Sequence, residues 1–246
     1  MDHQTIVNFS TPHPSPPVVT LGLNFLDFDN SRNLRIRSVV EAVLPSQAVL
    51  NLQSWADTIQ YASGVSWFLL PADDEDFRHG SFTTKDVRAA KTIVFDRPYP
   101  GPTPPKVLVS FTALDIDKSA NCRVQMYATD MTIRGFTLNV ETWSNTKLSE
   151  GGVSWISISA DKKSISAGRF STKDIAAAAG TTRKNRQSTV AFSPAFTNPP
   201  KIFLALNMLD LDRGSQTRVR LSGGSISGAI PPCTTLQRRT SLSIPK

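Results

Sequence analysis

Cysteine and histidine are nearly missing from this 246-residue chain: two of the first (Cys122, Cys233) and three of the second (His3, His13, His79). The cysteines hold non-equivalent places in the repeat described below, which argues against a disulfide framework or a metal site. Cys122 stands where the first copy of that repeat has Leu34, so a half-buried apolar place is expected for it. The histidines lie in terminal or linker-like segments. No nucleophile elbow, metal-ligand spacing or phosphate-cradling glycine loop accompanies them. Neither catalysis nor a cofactor is expected. Apolar runs of the roughly 20 residues needed to span a membrane are lacking as well. The opening Met1-Asp2-His3-Gln4 has no charged-then-apolar leader. This points to a cytoplasmic protein or one secreted by a non-classical route.

Acidic residues are fewer than basic ones, 20 against 27, for a net charge of +7. Such an excess permits nucleic-acid binding by counterion release. Yet the basic residues are scattered. Their tightest groups, Arg183-Lys184-Asn185-Arg186 and Arg238-Arg239, fall in an apparent loop and tail, without an RNA-binding aromatic-glycine signature or helix-turn-helix pattern. Solvated surface charge is the better reading, and no nucleic-acid partner is expected.

What the chain does have is one ordered set of residues, used three times. The first copy runs Pro16-Pro17, Leu26-Asp27-Phe28-Asp29, Asn33-Leu34-Arg35, Ser54-Trp55 and Val65-Ser66-Trp67. The second runs Pro104-Pro105, Leu114-Asp115-Ile116-Asp117, Asn121-Cys122-Arg123, Thr142-Trp143 and Val153-Ser154-Trp155. The third opens with Pro199-Pro200, Leu209-Asp210-Leu211-Asp212 and Gln216-Thr217-Arg218, then stops matching after Arg220. Arginine lies 8 residues after the first aspartate in every copy, and tryptophan 20 after arginine in the two complete ones. Such regularity means tandem modules. A leader, Gly80-Ser81-Phe82-Thr83-Thr84-Lys85-Asp86, recurs as Gly168-Arg169-Phe170-Ser171-Thr172-Lys173-Asp174, but has no counterpart before the first copy. The expected modules are therefore 1–74 (no leader), 75–162 (complete) and 163–246 (truncated, with a divergent tail).

Within each copy, short runs alternate apolar and polar residues, as in Arg123-Val124-Gln125-Met126 and Phe136-Thr137-Leu138-Asn139-Val140, with turn formers about every ten residues. That pattern predicts an all-β protein of antiparallel sandwiches. The proline pairs, unable to donate to a ladder, should mark strand entry at a sheet edge. One stretch, Asp174 to Ala179, suits a short helix or equally a connector.

Two repeated constellations could carry chemistry. The Asp-x-Asp pairs (Asp27/Asp29, Asp115/Asp117, Asp210/Asp212) could ligate a hard cation. The favoured reading is strand termination with bonds to turn amides, because no further acidic ligand recurs beside them. The Arg-to-Trp pair is the stronger candidate. A guanidinium offers five fixed donors to adjacent hydroxyls, and an indole offers an apolar face to the C–H side of a sugar. Trp67 and Trp155, inside Val-Ser-Trp, are expected in the core. Trp55 and Trp143 precede polar loops and are candidates for contact with a ligand.

These ordered motifs, most fully Ile93-Val94-Phe95, Pro104-Pro105-Lys106-Val107, Asn121-Cys122-Arg123-Val124, Arg134-Gly135-Phe136, Thr142-Trp143-Ser144-Asn145 and Val153-Ser154-Trp155, resemble the H-type lectin domain family. The resemblance implies six-stranded antiparallel β-sandwich modules and non-enzymatic binding of galactose or N-acetylgalactosamine in clefts near contacts between protomers. The implied partners are glycans or glycoproteins. The implied carbohydrate-binding residues are Arg123 and Trp143 with Ser144, their counterparts Arg35, Trp55 and Arg218, and a leader carboxylate, Asp86 or Asp174. Ser144, and Ala56 in the first copy, stand where the family has a histidine. Three linked modules could form a pseudo-trimer within the chain, or the chain could form a homo-oligomer. A scaffold that keeps the sandwich without sugar binding is the alternative.

Overall fold

The structure is a computed structural model that describes residues 1–86, 88–174, 185–192, 195–224 and 234–239. It is built almost wholly of antiparallel strands. The first is β1 (Asp2–Asn8), followed by β2 (Val18–Phe28), β3 (Leu34–Leu44), β4 (Gln47–Gln53) and β5 (Gln60–Leu70). Then come β6 (Phe77–Thr84), β7 (Arg88–Val94), β8 (Lys106–Ile116), β9 (Cys122–Thr132), β10 (Gly135–Thr142) and β11 (Leu148–Ile158). The last are β12 (Asn185–Val190), β13 (Met208–Leu211), β14 (Thr217–Gly223) and β15 (Thr234–Arg239). The helix expected near Asp174 has residues 175–180 outside the described ones.

Strand alternation explains the burial. In β9, Cys122, Val124 and Met126 face inward while Arg123, Gln125 and Tyr127 face outward, and Phe136, Leu138 and Val140 of β10 meet them from the neighbouring strand. Strands β6 to β11 supply six strands in two layers, β6-β11-β8 and β7-β10-β9. The same order without a leader strand gives β2-β5 and β1-β4-β3 from the first copy. In the third copy β15 lies between β12 and β14, the place taken by β4 and β10 in the other two. The divergent tail thus supplies a strand although its sequence no longer matches. Pro17 and Pro105 immediately precede β2 and β8, but these are interior strands, each flanked on both sides. The expectation of sheet edges is corrected: a proline one residue ahead of the ladder owes it no donor, so an interior strand accepts it.

Sheets run continuously from one copy into the next. β3 pairs with β8, β9 with β13, and β14 with β2, so the three junctions close a cycle. Near its centre Leu23, Phe111 and Leu206 occupy equivalent places and share one buried cluster. The Phe111 amide donates to the Leu206 carbonyl at 2.8 Å, and the Leu206 amide to Leu23 at 2.7 Å. Backbones approach so closely here that a Cβ on Gly22 would fall 2.4 Å from the Ala205 Cβ.

The two Val-Ser-Trp tryptophans differ. Trp155 is 7% exposed and packs on Phe95 and Phe136. Trp67 is 40% exposed, which corrects its expected place in the core. In the second copy β6 covers β11, whereas among the described residues no strand lies on that edge of β5. Cys122 is buried, and that burial pushes its thiol up to about 12. Because the thiolate is the reactive form, native protein at pH 8 is expected to leave Cys122 unmodified by iodoacetamide. Urea should expose it; peptide mapping that finds Cys122 alkylated in the folded chain would contradict this.

Candidate functional site

Each junction is locked by the repeated arginine and the first aspartate of the next copy. Arg35 Nε lies 3.4 Å from Asp115 Oδ1, Arg123 Nε 3.3 Å from Asp210 Oδ1, and Arg218 Nε 2.9 Å from Asp27 Oδ1. The first aspartate of Asp-x-Asp is therefore an ion-pair partner across the junction, not a turn cap. The second does cap its turn: Asp29 accepts from the Ser31 amide and Asp117 from that of Ser119, each at 2.7 Å, and hydrogen bonding from the side chains of those serines, then from their amides, holds both carboxyls below the usual range. The motif asparagine also bridges copies, since Asn33 Oδ1 accepts from the Lys118 amide at 3.0 Å and Asn121 Oδ1 from Arg213 at 3.1 Å.

The same arginines reach back to the loop after the tryptophan. Arg35 Nη1 donates to Asp57 Oδ1 at 2.7 Å, and Arg123 Nη1 to the equivalent Asn145 Oδ1 at 3.4 Å. This explains the spacing of 20: the guanidinium pins the turn that presents the indole. Ala56 and Ser144, the residues in the family's histidine position, adopt left-handed φ angles of 54° and 59°. That conformation costs a side-chain-bearing residue on the order of 1 kcal/mol, and it is repeated at both loops. Thr58 and Thr146 tie the loops down by donating to the carbonyls of Asn33 and Asn121.

A cation stands over each indole. Arg37 Cζ is 5.7 Å from the Trp55 ring centroid, and Lys173 Nζ, from the leader of the third copy, is 5.6 Å from that of Trp143. At the first junction a cleft of about 480 Å³ opens between copies, lined by Arg37, Trp55, Lys85, Asp115, Ser149 and Glu150. Its volume suits a small ligand. Burial raises the Asp115 carboxyl above the usual range, with Arg35 pulling the other way. Its folded form therefore holds the proton longer, so its contribution to stability falls as pH rises through that raised range. Hydrogen bonding from Arg35 lowers Asp57.

The sequence-expected residues are thus distributed unevenly. Trp55 lines the cleft, while Arg35 sits behind it in ion pairs and Arg37, two residues on along the exposed face of β3, takes the mouth. Asp86 follows Lys85 and is exposed; its amide donates to Thr84 Oγ1 at 2.9 Å. Asp174 likewise follows Lys173, the residue over Trp143, and is exposed. Trp143 is half-buried and Ser144 exposed, and Arg123 reaches their loop through Asn145. Arg218 has its aspartate, but among the described residues no tryptophan stands at that third junction. Sequence reading missed Arg37, Lys85, Ser149 and Glu150. The lysine was visible in both leaders; the others are not repeated (Arg37 is matched by Gln125) and left no signal.

Among the described residues no group of three or more His, Cys, Asp or Glu side chains could hold a metal ion, and no helix is long and apolar enough to cross a membrane. Residues 4–68, 90–158 and 187–228 match the family model of the H-type lectin domain. No curated protein matches the chain.

Proposed function

The chain belongs to the H-type lectin family, whose domain spans well over half of its length in three segments, and on that premise we propose that it binds galactose- or N-acetylgalactosamine-type glycans at its two tryptophan junctions. Carbohydrate binding without chemistry on the sugar is the family's activity. One observation carries its placement here: the indole, its pinned loop and an overlying cation recur at both junctions, and the first opens the cleft described above. An apolar ring face takes the C–H side of a pyranose. Arg37 and Lys85 donate to its hydroxyls, while Asp115 and Glu150 accept from them. Glycans or glycoproteins are the partners.

Two sites on one chain make the protein bivalent toward a glycan array of matching spacing, which raises avidity by roughly a hundredfold over one site. The closed cycle of strand pairs supports a pseudo-trimer made within one polypeptide.

A second reading, an interaction scaffold without sugar binding, is favoured by Ser144 and Ala56 in the histidine position and by the engagement of the arginines in ion pairs. A glycan array followed by calorimetry separates the two. Lectin function predicts selective binding with two sites per chain, weakened about tenfold or more by Arg37→Ala at the first site. No binding to any glycan leaves the scaffold.

A further inference from the structure

The ring closes at its third junction, where β14 pairs with β2, and the backbone frame there repeats that of the first. Two rows cross each junction in register. At the first, Arg35 lies opposite Asp115 and Asp115 opposite Glu150, while Arg37 lies opposite Ala113 and Ala113 opposite Gly152. At the third, the same rows read Arg218, Asp27, Ala62 and Arg220, Phe25, Gly64. The frame is shared. What it carries is not.

Each exchange has a physical consequence. Ala113 is small and buried, whereas Phe25 in its place presents a half-buried aromatic ring. Gly64 makes room beside it, since a Cβ there would fall 3.1 Å from the Phe25 Cβ and 2.7 Å from Asn24 Oδ1. Arg220, the counterpart of Arg37, has its Cζ 5.3 Å over the Phe25 ring centroid. Ser149, which lines the first cleft, is matched by Tyr61, 53% exposed. The Tyr61 hydroxyl donates to Asp29 Oδ2 at 2.8 Å and accepts from Gln216 Nε2 at 3.4 Å, so both copies fix it.

The exchange of Glu150 for Ala62 matters most. At the first junction Glu150 and Asp115 line the same cleft, and two carboxylates there repel an anion. Ala62 carries no charge. Asp27, the counterpart of Asp115, is bound to Arg218 at 2.9 Å, and Asp29 accepts from Ser31 and Tyr61. Arg220 is exposed and, among the described residues, stands over a ring rather than beside a carboxylate. A guanidinium resting on a ring keeps its in-plane N–H donors for bidentate contact with a carboxylate.

We propose that the third junction is a separate site for an acidic sugar, one that carries a carboxylate. Arg220 holds the carboxylate, and Phe25 holds Arg220 in position. Tyr61 offers its ring to the C–H side of the pyranose, and Asp27 accepts from a hydroxyl. The proposal rests on the carbohydrate reading of the tryptophan junctions for the kind of ligand; the preference for an acid comes from the third junction alone.

Calorimetry of the full chain with sodium glucuronate tests this. The chain carrying both Trp55→Ala and Trp143→Ala should still bind one equivalent, and more weakly as salt is raised. Arg220→Gln should weaken that binding about tenfold or more. Ala62→Glu, which puts back the carboxylate of the first junction, should act in the same direction. Circular dichroism, and galactoside binding at the tryptophan junctions of chains that keep them, should stay unchanged by either substitution, which separates the loss from misfolding. Galactoside binding with none for glucuronate overturns the third site and leaves the tryptophan sites standing. Glucuronate binding that vanishes with the tryptophans, or that survives both Arg220→Gln and Ala62→Glu, also overturns it. Binding of neither sugar overturns both readings.

Discussion

Phe111→Ala is expected to destabilise the protein by about 3–5 kcal/mol, the cost of emptying a large aromatic site in a close-packed core. Phe111 is fully buried, and its amide is committed to Leu206 of another copy. Collapse of the vacancy is opposed from three sides. Leu23 is held in the ladder of β2, Leu206 ahead of β13 is bonded through its amide and carbonyl to Leu23 and Phe111, and Val153 opposite Phe111 on β11 is fixed in register. The loss therefore falls on the contact shared by all three copies, where no single one can relax to fill it. Urea unfolding followed by tryptophan fluorescence measures this. A loss below about 1 kcal/mol would mean that the copies do not share a core there.

Trp55→Ala combined with Trp143→Ala is expected to abolish glycan binding, with each single change removing one of two sites. Alanine at either position deletes the aromatic face but leaves the loop intact, because Thr58 and Thr146 hold the turns through backbone carbonyls. On a dense glycan surface one remaining site forfeits avidity, so a single variant should lose roughly a hundredfold in apparent affinity. In solution with monovalent sugar it should lose half the stoichiometry and little affinity at the surviving site. Surface plasmon resonance and calorimetry together read both quantities. Undiminished binding by the double variant would place the sugar elsewhere.

The strands, their faces and the tandem copies were legible because they depend on local sequence. Period-two alternation in β9 and β10 sets which side chains turn inward whatever the neighbours are. The left-handed turns at Ala56 and Ser144 were not legible, since neither residue favours that conformation and a guanidinium from another strand holds each loop, through Asp57 in one and Asn145 in the other. The exposure of Trp67 was misread because Val-Ser-Trp is identical in two copies. What differs is that β6 pairs beside β11, while among the described residues no strand pairs on that edge of β5. Arg37 escaped notice for the opposite reason: it is not repeated, and only the neighbouring copy turns its strand face into the wall of a cleft.

By itself the sequence determined that this protein is three times one β design, with family membership and with arginine, aspartate and tryptophan at constant intervals. Short-range periodicity and turn chemistry suffice for that. Only the tertiary structure decided that Arg35 answers to Asp115, Arg123 to Asp210 and Arg218 to Asp27. Those partners lie in different copies, and the third pair is separated by 191 residues. The physical reason is ring closure. Sheets that continue from one copy into the next bring together side chains that no interval along the chain relates, and the cleft exists only where two copies face each other.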